Sequence, residues 1–456
     1  MSKQTYEVAV IGAGAAGTFA AYQIQKRLGD TAQITVYEKN EHAGGRVWDV
    51  DFAGATLEAG GAVLHSSGKH TFEIMKLVGS KEGTPGVSMD GDDETFGWWT
   101  DKGFPVFTHS SLASMAIGIV KHVGPSSALK VTNHAKEMAE KWDGIYAIQE
   151  SGKTFQTVNE LLDGVQEREA AEISLGNYLK KLGVNDRMAK DIVEPITHNM
   201  YNQGLEMNAF AGLVGLAGAG LAGGYLFAIE GGNWTVFQKT LEAIGTDTRY
   251  NTRVTGVEAS PDDDRPHGFV YRVTSDDGQE KEYDAVVLAV PPAMSGFDIV
   301  KEGAVIPIAK NPYQVVHTRF IAGELNPSYF HAKPSKKLPS TIFTADSAGA
   351  PFKSVGVTGF SPQYNSRIYK IFSADHHVTD EELARIFTVV HDETEYVWRG
   401  AYPILTTDVE HVPFKIQPGL YFANAFETAA GSVEVEAVSA INAANIQIDE
   451  FLAAQA

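Results

Sequence analysis

Three glycines near the start of the chain, Gly12, Gly14 and Gly17, stand at the GxGxxG spacing within TYEVAVIGAGAAGTFAAYQIQKRL. The spacing suits a nucleotide pyrophosphate. The first glycine lets the chain reverse, the second lets phosphate approach the backbone, and the third lets a helix pack closely on the preceding strand. Ala15 and Ala16 open the helix whose N-terminus would face the phosphates. Glu38 ends AQITVYE, about twenty residues on, where a carboxylate takes the ribose hydroxyls and disfavours a 2′-phosphate. Lys39 beside it completes the candidate contacts. These residues need a strand over 7–11, a tight turn, a helix and a second strand: a Rossmann unit.

The rest of the composition bounds the problem. At 456 residues, with 43% hydrophobic and 21% charged residues, the chain suits two domains, interleaved in sequence. A net charge of −20 excludes nucleic acid as a partner and disfavours docking on an anionic membrane by charge alone. The absence of cysteine excludes disulfides, thiol nucleophiles and Cys-ligated metals, and no metal site is expected. MSKQTYEVAVIG carries no signal-peptide pattern, so the sequence as it stands reads as cytoplasmic. Residues 209–229 form a 21-residue uncharged stretch with six glycines, read as a buried Gly/Ala-rich segment and not a transmembrane span.

Residues 80–225 alternate helical patterns and loops. SLGNYLKKLGV and VNELLDGVQEREAAEI have helical spacing, and SLASMAIGIVKHV is an apolar helix expected in the core, with peripheral contact with a membrane surface as its alternative. Between 296 and 410, VVHTRFIAGEL, SVGVTGFS and RIYKIFSAD read as strands, and EELARIFTVV as a helix.

After Glu38, the motif Gly44–Gly45–Arg46 resembles the second glycine motif of glutathione-reductase-like FAD proteins, and Gly60–Gly61 resembles their contact beside the isoalloxazine ring. AIEGGNWTVFQKTLEAIG resembles the turn and helix by which amine-oxidase-like flavoproteins re-enter the cofactor domain, and Val254 matches the residue against the adenine there. The resemblance implies FAD and an α/β fold. A Rossmann FAD-binding domain (1–79, 226–295, 411–456) would be interleaved with an α+β substrate domain (80–225, 296–410) carrying a mostly antiparallel sheet. It also implies that the closing helix points its N-terminus at the flavin, with Glu434 in its first turn and Asn424–Ala425 where a Gly-Asp pair is usual.

Four blocks carry a closer resemblance: LEAGGAVLH, MYNQGLEMNAFAGLVGLAGA, VWRGAYPIL and LYFANAFETAAGSVEVEAVSAINAA. With them the chain resembles the prenylcysteine oxidases, also called prenylcysteine lyases, over nearly its whole length. That implies oxidation of the S–CH₂ carbon of a farnesyl or geranylgeranyl cysteine, water addition, and release of cysteine and prenyl aldehyde, with O₂ reduced to H₂O₂. His65, Glu427 and His198 are the candidates for activating water. Phe96, Trp98, Trp99, Tyr201 and Phe210 are the candidates for lining an isoprenoid cavity, and the glycines of 209–224 would make room for it. An amine oxidase or desaturase on the same fold, an oxidase of another allylic thioether, and a flavin-bearing lipid carrier remain as alternatives. A Lys–water–flavin arrangement would favour the amine oxidase, and the sequence cannot place such a lysine.

Overall fold

The computed structural model describes residues 5–85, 95–109 and 111–455. Its centre is a six-stranded sheet in the order Asp247–Arg249, Ala32–Tyr37, Tyr6–Ile11, Ala285–Leu288, Leu420–Phe422 and Lys415–Gln417. The first five strands run parallel and the last is antiparallel. Strand Tyr6–Ile11 is buried almost throughout because it is central and covered on both faces, as the continuous apolar run YEVAVI requires. Helix Ala15–Leu28 lies against helix Val433–Ala454, and Phe19, Ala20 and Ile24 are completely buried. Each large aliphatic or aromatic side chain so buried contributes about 1.5–3 kcal/mol.

A seven-stranded sheet forms the second layer: Phe387–Pro403, Tyr313–Leu325, Ser366–Ala374, Ser354–Ser361, Thr341–Thr344, Thr95–Thr100 and Gly103–His109. All its pairings are antiparallel except that between Thr341–Thr344 and Thr95–Thr100. The mixed α/β architecture with a mostly antiparallel sheet is the one expected. One face of this sheet packs, through Phe320 and Ile368, on the hairpin Trp48–Phe52 and Ala55–Gly60. The opposite face holds a separate core of Trp99, Ile321, Phe330, Ile342 and Phe352.

Some local expectations change. EELARIFTVV is helical only over Asp380–Ile386, after which Phe387 begins the long edge strand. The β-branched Thr388, Val389 and Val390 follow the pairing with Tyr313–Leu325, so tertiary contact overrides the helical pattern. Helix Leu112–Val123 is core on one side only: Val123 is buried and Met115 and Ile119 pack on the core, but Ile117 is 57% exposed and Val120 37%. The uncharged stretch breaks into helix Ala209–Leu216, a π-helical turn Ala217–Leu221 and strand Leu226–Ile229, with left-handed Gly220, Gly223 and Gly224 between them. Among the described residues no helix is long and apolar enough to cross a membrane.

Candidate active site

The glycine turn is set by close approach. A Cβ on Gly17 would lie 1.8 Å from the Gly12 carbonyl oxygen, and Gly12, at φ +107°, would bring one to 2.7 Å from the Ala289 oxygen. Gly14 caps helix Ala15–Leu28 without any side-chain hydrogen bond, leaving the first amides, those of Ala15 and Ala16 among them, for an anion. Gly44 bridges to Gly14, and Gly45 at φ +62° faces the Gly14 Cα, so both glycine motifs meet at one place. Glu38 is buried and accepts from the amides of Ala13 and Asn40, each at 2.9 Å. Burial pushes its pKa up while those amides pull it down. Each carboxylate oxygen retains a lone pair for a ribose hydroxyl. Lys39 is exposed beside it, and Val254 is buried at the start of its strand.

Past the cradle, Gly60 lies between the Arg46 carbonyl oxygen and the Trp398 ring, where a Cβ would come within 2.5 and 2.6 Å. Gly61, at φ +60°, faces Val47 equally closely. Arg46 forms an ion pair with Glu427 and donates to the Ala401 carbonyl at 3.1 Å. Tyr313 donates its hydroxyl to the other oxygen of Glu427 at 3.2 Å. Burial works against the Arg46 charge, but the Glu427 carboxylate outweighs it and raises the guanidinium pKa. Glu436 lies in the same network, accepting from Asn424 Nδ2 at 2.8 Å. Burial first, and the Glu427 charge second, push its pKa well up. Asn424 Oδ1 is buried without a hydrogen-bond partner, an acceptor suited to a group bound here. With the glycine cradle and Glu38, this orphaned atom fits a dinucleotide cofactor.

Lys370 and Glu58 adjoin this place. Lys370 Nζ donates to the Glu58 carbonyl at 2.8 Å, and burial lowers its pKa to about 8 despite the Glu58 charge. Burial raises Glu58 to about 7, although the Asn233 amide bonds it at 2.8 Å. The sequence reading missed Tyr313, Glu436 and Lys370. A signal existed for Lys370, which shares a strand face with Ile368 in SRIYKIFSA.

Other predicted residues lie apart. Glu434 does not turn its carboxylate to the cradle. It accepts from the amides of His70 and Thr71 and the hydroxyls of Thr71 and Tyr146, at 2.7–3.0 Å, capping helix Lys69–Val78. His65 bonds Ser67 through Nδ1 and the Gly223 carbonyl through Nε2, at 2.7 and 3.0 Å. Burial lowers its pKa. His198 is buried between the Thr344 carbonyl at 2.9 Å and Lys353 Nζ at 3.4 Å, with its pKa lowered by burial and then by Lys353. Both ring nitrogens of each histidine are thus engaged, and no described hydrogen bond or ion pair joins either to Glu427.

Strand alternation separates the two tryptophans. Phe96 and Trp98 pack on Phe343 in the main core, whereas Trp99 belongs to the second core on the opposite face. Trp99 therefore does not share a cavity with Trp98. Tyr201 packs edge-on to Tyr402, and Phe210 packs edge-on to Phe426, the neighbour of Glu427. The glycines of 209–224 do not open a cavity as expected. Gly212 receives Leu175, Gly215 receives Tyr201 and Gly218 receives Met200, all closer than a Cβ would comfortably allow.

Comparison with known proteins agrees with this architecture. The model of the NAD(P)-binding Rossmann-like domain matches residues 10–77, and that of prenylcysteine lyase matches 115–456. Farnesylcysteine lyase of Arabidopsis thaliana is 26% identical over 460 residues, covering 98% of this chain and 88% of its own. Prenylcysteine oxidase 1 of Bos taurus is 27% identical over 472 residues, covering 96% and 87%. Wild-type putrescine oxidase bound to putrescine shares the fold at a TM-score of 0.65 with 17% identity, covering 98% of this chain and 99% of that one. With the second glycine motif, the Arg46–Glu427 pair and the whole seven-stranded sheet lying inside or beside the matched regions, the chain belongs to the prenylcysteine lyase family and is a flavin-dependent oxidoreductase.

Proposed function

We propose that the chain uses FAD to cleave the thioether of an S-prenylcysteine, with O₂ as final acceptor and H₂O₂, cysteine and prenyl aldehyde as products. The observation that carries the reading is the partly buried Arg46–Glu427–Tyr313 arrangement near Gly60, in a chain of this family. Gly12, Gly14, Gly44 and Gly45 would hold the pyrophosphate, Glu38 the ribose, and Asn424 Oδ1 a donor nearer the reacting end. When bound, the flavin supplies a two-electron acceptor for hydride from the carbon attached to sulfur.

The chain then has to orient a water against that carbon and take its proton. Glu427 has the chemistry for this, because each oxygen keeps a lone pair after accepting from Arg46 and Tyr313. Addition of water gives a hemithioacetal, which collapses to thiol and aldehyde without an enzyme nucleophile. The proposed isoprenoid contacts are Phe210, which packs on Phe426 beside Glu427, together with Tyr201 and Trp98. Exposed Ile117 and Val120 supply the apolar surface that peripheral contact with a membrane would use.

The test is an anaerobic titration of the flavin-loaded protein with S-farnesylcysteine. Bleaching, followed by recovery with release of peroxide when air is admitted, is expected. No bleaching with flavin demonstrably bound would remove the substrate assignment. Lys370, with its lowered pKa beside the Gly60 loop, favours a second reading as an amine oxidase. Faster bleaching by amines than by thioethers would select it.

A further inference from the structure

On the face of the seven-stranded sheet that carries Ile321, opposite to the face packed on the 48–60 hairpin, two imidazoles and a carboxylate converge. His317 lies on strand Tyr313–Leu325, Glu395 on its antiparallel neighbour Phe387–Pro403, and His377 on the connection leading to helix Asp380–Ile386. His317 Nδ1 is 3.1 Å from Glu395 Oε1, and His377 Nδ1 is 2.9 Å from the same atom and 3.2 Å from Oε2. One ligand atom from each of the three lies within 4.8 Å of the others.

We propose that His317, His377 and Glu395 bind one divalent transition ion of the zinc class. With each ring protonated at Nε2, two Nδ1 lone pairs face a carboxylate, an arrangement that repels unless positive charge lies between them. Two Nδ1 protons or one metal ion would meet that need. Bonds of about 2.0–2.2 Å to imidazole nitrogen and carboxylate oxygen put neighbouring ligand atoms of a tetrahedral ion about 3.4 Å apart, so the observed separations need to open only slightly. Two histidines with one carboxylate make a donor set suited to zinc, and the half-exposed His377 leaves a fourth position toward solvent.

The neighbouring cation does not take the position. Arg319, two residues along the strand, is already engaged by Glu393 at 2.6 Å and Asp380 at 3.1 Å, so it does not compete for Glu395. A second group, Glu194, His198 and Asp346, has similar spacing. There Lys353 Nζ lies 2.8 Å from Asp346 and 3.4 Å from His198, filling the cation position. Binding at the first group would fasten the 375–379 connection to the two-stranded edge, a structural role independent of the flavin chemistry.

The test is equilibrium dialysis of the full-length, flavin-loaded, chelator-treated protein against micromolar ZnCl₂, with zinc per chain measured by atomic emission. One zinc per chain is expected, with two imidazole nitrogens at about 2.0–2.1 Å in the zinc X-ray absorption spectrum. His377→Ala should weaken retention by more than ~10-fold, the least that loss of even an outer-shell partner costs. Because His377 is half-exposed, that variant should fold, and its flavin content checks this. Zinc retention no greater than in His377→Ala would overturn the proposal. So would retention lost in His198→Ala but kept in His377→Ala.

Discussion

Arg46 and Glu427, 381 residues apart in sequence, close an ion pair that joins the second glycine motif to the loop before the closing helix. The Glu427 carboxylate outweighs burial in raising the Arg46 pKa, and its charge adds to burial in raising that of Glu436. If Glu427 handles the water, Glu427→Gln should lower kcat by ~10²–10⁴-fold, the usual contribution of a general base. Stopped-flow bleaching compared with steady-state peroxide release is the measurement. An unchanged kcat would reassign Glu427 to a structural role.

Glu38 should govern cofactor affinity. Removing a charged hydrogen-bond acceptor costs about 1.5–3 kcal/mol, so Glu38→Ala should weaken FAD binding by roughly 10–150-fold. Reconstitution of the apoprotein, followed by flavin fluorescence quenching, measures this directly. Affinity within twofold of the parent would place the ribose elsewhere.

Glu434 should behave in the opposite way. Its carboxylate caps helix Lys69–Val78 and satisfies Tyr146, so Glu434→Ala should cost about 0.5–2 kcal/mol of stability. Flavin affinity and the rate of bleaching should stay unchanged. Loss of flavin without loss of melting temperature would return Glu434 to the cofactor site.

Lys370 gives the stability profile an alkaline limb. Its folded pKa, about 8, lies below its ordinary value of 10.5. Between those pH values the unfolded chain binds more protons than the folded one, so stability rises with pH across that window. Denaturant midpoints measured from about pH 7.5 to 10.5 should show the rise, and Lys370→Met should flatten it. A rise of the same size in the variant would mean that another group titrates there.

The sequence by itself determined the nucleotide unit, because glycine spacing, strand periodicity and Glu38 are all local. Gly17 must be glycine where helix and turn touch, and that requirement is written in adjacent residues. It also determined the strands of VVHTRFIAGEL and RIYKIFSAD through alternation. Other features depend on contacts made across hundreds of residues. Glu434 and Glu436 are two positions apart on one helix, yet one meets the helix at Lys69 and the other Asn424, because successive helical positions point in different directions. Trp98 and Trp99 enter different cores because a strand turns adjacent side chains to opposite faces, and only the packed layers fix which face is which. The helix predicted through FTVV became an edge strand because hydrogen bonding to Tyr313–Leu325 outweighed a local pattern. The strand face of Lys370 was legible, but its lowered pKa was not: that shift comes from what buries the lysine, and the surrounding exists only once the sheet lies on the 48–60 hairpin.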